Sequence, residues 1–208
     1  MTSISSNKLA VIIVHVGYKD YLRCNLEITG KNNKIYLIGD NSVKHLGNLP
    51  NVTFINIDKY KNNKKIIEYK KYYTNYSSYQ FEWIWRAGPL RIFIIHEFLK
   101  EYNLKNIFNI DSDNILLKNI NDYFFSKEVA YCIPKNYHEE RMGNSIHNGL
   151  LTINFCNKFE ELYNDIYINK SKLHLIEKKI EYHKDMRGNY INGGICEMTF
   201  CYLLQNLK

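Results

Sequence analysis

One stretch of the sequence, from Asn106 to Leu117, constrains the fold more than any other. It begins as an apolar run, breaks abruptly into Asp111-Ser112-Asp113 and then resumes with apolar residues. This pattern is typical of a buried strand whose end carries two carboxylates. Two acids one residue apart repel each other, and burying one of them without a partner costs roughly several kcal/mol. The stretch therefore predicts a strand that ends where a cation or hydrogen-bond donors are needed.

Two interpretations of the Asp111-Ser112-Asp113 motif are open. A hard divalent cation, bound by carboxylate oxygens and completed by diphosphate oxygens and water, would satisfy both charges. Alternatively, the motif forms an ordinary turn in which Asp111 and Ser112 cap a loop while Asp113 and Asn114 are solvated. The segments around the motif favour the cation.

The first part of the chain alternates strands with a helix. Residues Leu9 to Val16 form a β-branched run that is typical of a strand buried on both faces, and Gly17 ends it. A helix is predicted from Tyr18 to Thr29, and two more strands are predicted from Lys34 to Gly39 and from Asn51 to Ile57. This alternation indicates right-handed crossovers and an α/β fold with a mainly parallel central sheet flanked by helices.

The rest of the chain continues the α/β pattern. Its predicted elements are a short helix from Ile66 to Tyr73, a helix from Tyr79 to Tyr102 that is interrupted or kinked at Gly88-Pro89, strands from Val129 to Pro134 and from Ile146 to Asn154, and helices from Phe159 to Ile168 and from Glu197 to Lys208. These elements extend the same sheet and cover its faces.

The carboxyl ends of parallel strands meet at one edge of the sheet, where open α/β folds bind their ligands. This rule brings the segment from His15 to Gly17, Asp40 and the Asp111-Ser112-Asp113 motif to one crevice. Asp40 could accept hydrogen bonds from a ribose or a base, or it could open its loop as an Asx turn. His15 is more typical of a histidine that is satisfied at a strand end than of a ligand.

Three other charged residues, on two predicted helices, are candidates for a functional role. Arg86 and Arg91 lie on the helix that leads into the carboxylate strand, where an arginine can pair with Asp111 or Asp113 or clamp a phosphate. A solvated side chain is the alternative for both arginines. Glu197 begins the last helix, so it is either a capping residue favoured by the helix dipole or a general base.

Length and composition predict one domain. The 208 residues are 45% hydrophobic and contain only three prolines and no Gly/Ser-rich run, so no linker is evident. Residues 1–208 are either a complete domain or the N-terminal module of a longer protein. The only N-terminal apolar run is too short to span a bilayer and has no signal-peptide cleavage pattern. The five cysteines lack Cys-x-x-Cys spacing, which predicts reduced thiols rather than disulfides or a zinc site. A cytoplasmic, soluble protein is expected.

The net charge of +7 favours polyanionic partners or peripheral association with an anionic membrane. Much of this excess lies between Lys59 and Lys71, where a solvated face is the simplest interpretation. Lysines interleaved with tyrosines could also bind single-stranded nucleic acid, but no nucleic-acid motif accompanies them. A nucleic-acid-binding or scaffold protein is therefore the alternative outside the enzymes.

Five segments follow one another in an order that is itself informative, and they are Phe81-Glu82, Leu90 to Phe98, Asn109 to Leu116, His147 to Leu151 and Gly193 to Thr199. Their succession resembles the GT-A fold of nucleotide-sugar glycosyltransferases. More narrowly, it resembles small bacterial and viral transferases of the Asp-x-Asp type.

The resemblance implies a single Rossmann-like domain and a role for each candidate on the donor side. Asp113, together with Asp111, would hold Mn²⁺ or Mg²⁺ on the diphosphate of a UDP- or GDP-sugar, with UDP favoured, and Asp113 would thereby take part in catalysis. Ser112 lies between them in the donor site. Asp40 and the strand end formed by His15, Val16 and Gly17 would contact the nucleoside, and Arg91 would face the acidic motif and the donor.

On the acceptor side, the resemblance implies that His147 and an Asn148-Gly149 turn face a glycan, a polysaccharide or another hydroxyl compound. Glu197 would be the catalytic base. Related sequences usually have aspartate at this position, so the carboxylate of Glu197 stands one methylene further from the backbone. A base on the acceptor side implies inversion of the anomeric centre. A sugar nucleotidyltransferase is the alternative enzyme, and it is disfavoured because Gly17 stands alone where a glycine-rich triphosphate loop would follow the first strand.

Overall fold

A six-stranded sheet forms the centre of the protein in the computed structural model. The structure describes residues 8–74, 76, 82–125, 130–132, 142–185 and 194–206, and of residues 82–87, 130–132 and 183–185 it describes the backbone alone. The strands are β1 (Val11–His15), β2 (Ile35–Gly39), β3 (Val52–Asn56), β4 (Asn106–Ile110), β5 (Ala130–Cys132) and β6 (Ser145–Thr152). Their order across the sheet is β3-β2-β1-β4-β6-β5.

Most neighbouring strands of this sheet run parallel. β1 pairs in parallel with β2 and β4, and β2 pairs in parallel with β3, whereas β6 runs antiparallel to both β4 and β5. The predicted α/β class with a mainly parallel sheet is confirmed. All five residues of β2 are buried because helices cover both faces of the sheet, which explains why its sequence is apolar throughout.

The helices lie on the two faces of the sheet. They are α1 (Asp20–Thr29), α2 (Lys64–Tyr72), α3 (Glu82–Glu101), α4 (Ile153–Tyr163), α5 (His174–Asp185) and α6 (Glu197–Asn206). α1 and a 3₁₀-helix (Asn41–Asn48) pack on one face, and α2 to α6 pack on the other. None of the described helices combines the length and the apolar character needed to cross a bilayer.

The strand predicted from Ile146 to Asn154 ends earlier than the sequence indicates. β6 stops at Thr152, whose hydroxyl accepts a hydrogen bond from the backbone N–H of Phe155 at 3.0 Å. This side-chain cap satisfies a backbone donor of the first helical turn. α4 therefore begins at Ile153, well before the predicted start at Phe159.

Several predicted segments lie partly outside the described residues. They are residues 79–81 of the helix predicted from Tyr79, residues 129 and 133–134 of the strand predicted from Val129, Gly193 ahead of α6, and residues 207–208 of the helix predicted from Glu197 to Lys208. The side chain of Arg86 is also outside the described part, so its predicted role stays a prediction.

A partly buried network of ionisable side chains joins three helices on the α3 side of the sheet. Glu160 of α4 is 6% exposed, and its carboxylate contacts His96 Nδ1 at 2.5 Å and the ammonium group of Lys65 on α2. Glu97 lies close by and accepts a hydrogen bond from Lys100 Nζ at 3.0 Å. The His96, Glu97 and Glu160 ligand atoms lie within 4.8 Å of one another, but lysines already neutralise both carboxylates. The network is thus an ion-pair cluster that connects α2, α3 and α4.

This cluster predicts an acid-sensitive contribution to stability. Burial opposes the ionisation of Glu160, but hydrogen bonds from His96 and Lys65 outweigh it and hold the pKa of the carboxyl below its usual 4.5. A carboxyl with a lowered pKa stabilises the fold above its unfolded pKa, and this stabilisation is lost as the pH falls through the folded pKa. Glu160→Gln should therefore reduce the free energy of unfolding by about 1–3 kcal/mol near neutral pH, and the difference should shrink in acid.

Urea unfolding of the wild type and the variant, near neutral pH and well below pH 4.5, measures this effect. Glu161→Gln is the matched control because Glu161 is the adjacent acid on α4 and is exposed. Equal losses in both variants, or a Glu160→Gln difference that persists unchanged in acid, would contradict the assignment.

Candidate active site

The Asp111-Ser112-Asp113 motif leaves the carboxyl end of β4 as a tight turn. The backbone N–H of Asn114 donates to the Asp111 carbonyl at 3.0 Å, which closes the turn. The backbone N–H of Asp111 donates to the His147 carbonyl at 2.7 Å, which ties the turn to β6. The backbone of the motif therefore forms the turn of the second interpretation. Two backbone hydrogen bonds hold the segment that carries its side chains.

The Asp111 carboxylate lies between two basic side chains. Arg91 donates from its NH1 nitrogen to Oδ1, and His147 Nδ1 contacts Oδ2. Burial opposes the ionisation of Asp111, but the His147 hydrogen bond and the Arg91 charge outweigh it and lower the pKa of the carboxyl. The same hydrogen bond raises the pKa of His147. Pairing with Asp111 is one of the alternatives that the sequence predicts for Arg91.

A second carboxylate approaches the same arginine from α6. Glu197 is the first residue of that helix and is 8% exposed, and its Oε1 lies 3.6 Å from NH2 of Arg91. The Arg91 side chain is itself only 12% exposed. One buried guanidinium thus lies between Asp111 from the sheet and Glu197 from a helix, and it offsets the charge of both.

The Glu197 carboxylate also contacts α3 at Gly88, where a Cβ atom would overlap it. Sequence reasoning missed this contact. The signal was present in the Gly88-Pro89 pair, but that dipeptide predicts a helix interruption as readily as a close approach.

The other half of the site lies on the α1 side of the sheet. His15 Nδ1 is 2.9 Å from Ser112 Oγ, and Asn25 of α1 donates from Nδ2 to the Ser112 carbonyl at 2.7 Å. The Tyr21 hydroxyl lies 3.5 Å from the same Ser112 Oγ. Burial lowers the pKa of His15, so its imidazole is neutral near pH 7. His15 thus contacts the middle residue of the motif through Nδ1, but it is only partly satisfied, because its Nε2 is buried without a hydrogen-bond partner among the described residues.

Asp40 reaches the same edge from the end of β2. It accepts hydrogen bonds from the Ser42 backbone N–H at 3.2 Å and hydroxyl at 2.5 Å, and from the backbone N–H of Gly17 at 3.3 Å. The Ser42 hydroxyl holds the pKa of the Asp40 carboxyl below its usual range. The Asx-turn interpretation is thereby confirmed. Gly17 has a φ of +82°, a conformation that favours glycine, and Val16 beside it is exposed.

Asp113 differs from Asp111 because its side chain is exposed and has no hydrogen-bond or ion-pair partner among the described residues. Asp111 keeps acceptor capacity, since a carboxylate offers about four lone-pair positions and two are in use. Neither acid belongs to the one described group of three ligand atoms within 4.8 Å. Both acids carry carboxylate oxygens, the type of ligand that Mn²⁺ and Mg²⁺ prefer.

The strand predicted from Ile146 is confirmed as β6, but the Asn148-Gly149 turn that the resemblance implied is wrong. Both residues lie inside β6, opposite Ile110 and Asn109 of β4. Pairing with a strand distant in sequence overrides the turn preference of the Asn-Gly dipeptide. Of the three predicted acceptor residues, Gly149 is buried, Asn148 is half-buried, and His147 keeps an exposed side chain next to Asp111.

Solved structures of two glycosyltransferases share this architecture. One is described as PaToxG glycosyltransferase, with a TM-score of 0.53 and 12% identity over 96% of this chain and 70% of that one. The other is mouse xyloside xylosyltransferase 1 in its apo form, with a TM-score of 0.55 and 10% identity over 94% of this chain and 81% of that one. The chain has the fold of these glycosyltransferases. No family model and no curated protein sequence matches it.

Proposed function

We propose that the protein is a metal-dependent glycosyltransferase of the GT-A type. It would transfer a sugar from a nucleoside diphosphate donor to a hydroxyl group of a glycan or polysaccharide. The observation that carries the proposal is the position of Arg91 between Asp111 and Glu197, at the ligand-binding edge of a sheet with a glycosyltransferase fold. This arrangement combines a diphosphate-binding side with a candidate base.

On the donor side, Asp111 and Asp113 would hold Mn²⁺ or Mg²⁺, which when bound neutralises charge on the leaving diphosphate. Arg91 lies against Asp111, so its guanidinium adds positive charge where the sugar–phosphate bond breaks. The exposed end of β1 at Val16 and Gly17, together with Asp40, would contact the nucleoside, with uridine favoured. Ser112 fixes the backbone between the two acids through His15 and Asn25.

On the acceptor side, Glu197 would accept the proton of the attacking hydroxyl as the oxygen bonds to C1 of the sugar. The electron pair of the C1–oxygen bond leaves with the diphosphate, and attack from the opposite face inverts the anomeric centre. Glu197 is buried, and Arg91 lies 3.6 Å from its carboxylate. The exposed imidazole of His147 would contact the acceptor beside the reacting centre.

Stabilisation by nucleotides tests the proposal directly. UDP or GDP with Mn²⁺ at about a hundredfold excess over Kd should stabilise the native state by about 2.7 kcal/mol, because a ligand that binds only the folded protein shifts the equilibrium. For a domain of this size, the melting temperature should rise by about 5–10 °C. The measurement is a thermal unfolding scan with each nucleotide in the presence and absence of the metal.

Uridine monophosphate with Mn²⁺ is the control for the diphosphate, and a single-stranded oligonucleotide tests the nucleic-acid-binding alternative. A shift with the oligonucleotide but with no nucleoside diphosphate would overturn the proposal. Hydrolysis assays over a panel of nucleotide sugars would then identify the donor.

A further inference from the structure

Gly88 of α3 lies one helical turn before Arg91, and both residues contact the Glu197 carboxylate. A Cβ atom at position 88 would overlap both carboxylate oxygens of Glu197. The acid therefore occupies space that only glycine leaves on this face of α3. In this position, Oε1 of Glu197 lies 3.6 Å from NH2 of Arg91.

We infer that Gly88 is a positioning residue for Glu197. Without a side chain at position 88, the carboxylate lies against α3 and reaches Arg91. Glutamate needs this space because its carboxylate stands one methylene further from the backbone than that of aspartate. The inference rests on the proposed function, in which Glu197 is the base, and it adds a residue that does not itself touch the substrate.

A purely local reason for glycine must be separated from this one. Pro89 follows directly, and a residue before proline is restricted in the helical region, where glycine is the most tolerant choice. The two explanations differ in one respect, since the constraint from Pro89 does not depend on the side chain at position 197.

The first experiment measures steady-state transfer by three variants. Gly88→Ala should lower kcat by about a hundredfold, because a displacement of roughly 1 Å at a reacting group has an effect of this size, while the KM for the donor stays nearly constant. Glu197→Asp should lower kcat on its own. In the double variant, the shorter acid clears the added methyl group, so kcat should be at least about tenfold higher than in Gly88→Ala. A double variant whose loss equals the product of the single losses would overturn the inference.

The second experiment needs no catalysis and compares the melting temperatures of wild type, Gly88→Ala, Glu197→Ala and the double variant. When Glu197 is present, the change in melting temperature caused by Gly88→Ala should be about 2–4 °C more negative than the change that it causes in the Glu197→Ala background. Any effect of Pro89 is the same in both backgrounds and cancels. Equal shifts in the two backgrounds would show that Gly88 does not position Glu197.

The two experiments separate the inference from the proposed function. If the melting temperatures show the coupling and the wild type transfers sugar from no donor, the placement of Glu197 stands and the glycosyltransferase proposal fails. If transfer occurs without the coupling, the proposed function stands and the role of Gly88 is refuted.

Discussion

Replacing Asp113 with alanine is expected to reduce metal-dependent sugar transfer by about a thousandfold, the effect of losing several kcal/mol of charge stabilisation on the leaving group. The melting temperature should remain that of the wild type, because Asp113 is exposed and has no partner among the described residues. Transfer should be lost without a loss of stability because Asp113 and Asp111 have different surroundings. Asp111 is already paired with Arg91 and His147, whereas Asp113 has no such partner in the described part of the chain.

Titration calorimetry of Mn²⁺ with UDP or GDP, alongside thermal unfolding, measures both outcomes. Asp122→Ala is the matched control because it removes an exposed acid of the same kind from a nearby 3₁₀-helix. Asp113→Ala with undiminished Mn²⁺-dependent transfer would exclude Asp113 as a metal ligand. Loss of transfer in both variants would point to surface charge rather than coordination.

Replacing Glu197 with glutamine is expected to lower kcat by about 10²–10⁴-fold, since the amide cannot accept the proton of the acceptor hydroxyl. Glutamine has nearly the same volume, so it should fit against Gly88 and leave the donor KM close to that of the wild type. Stability should fall by only about 1 kcal/mol, because Arg91 keeps its contact with Asp111.

Steady-state kinetics with the identified donor, together with the anomeric configuration of the product, checks this prediction. Glu177→Gln, an exposed acid on α5, is the control for the change in charge. A product that retains the donor's configuration would rule out Glu197 as an inverting base. An unchanged kcat in Glu197→Gln would exclude it from the chemistry altogether.

The edge of the sheet that carries the site is predictable because its causes are local. Two apolar runs, one of them β-branched, are typical of strands buried on both faces. They form β1 and β4. Once strands and helices alternate, the handedness of the connections places the ends of β1, β2 and β4 together. The positions of His15, Asp40 and Asp111 at one edge follow from that rule.

The sequence predicts a strand from Ile146, but local signals do not show that it continues through Asn148-Gly149 without a turn. Asn148-Gly149 is the strongest local turn signal in its segment, yet both residues lie within a strand, because β4 supplies backbone partners from about forty residues away in sequence. The strand also ends at Thr152 rather than at the predicted Asn154, for a related reason. Thr152 can continue a strand or cap a helix, and the capping hydrogen bond to Phe155 decides between them.

The sequence by itself determined the α/β class, the mainly parallel sheet and the edge at which charged residues gather, since periodicity and burial dictate these features residue by residue. Only the tertiary structure decided that Arg91 pairs with Asp111 and Glu197, that Asp113 has no partner among the residues that the structure describes, and that Gly88 leaves space for an acid of another helix. The physical reason is that a side chain's partner depends on which segments pack together. Distances of a few ångströms between groups far apart in the chain are set by the packing of the whole core.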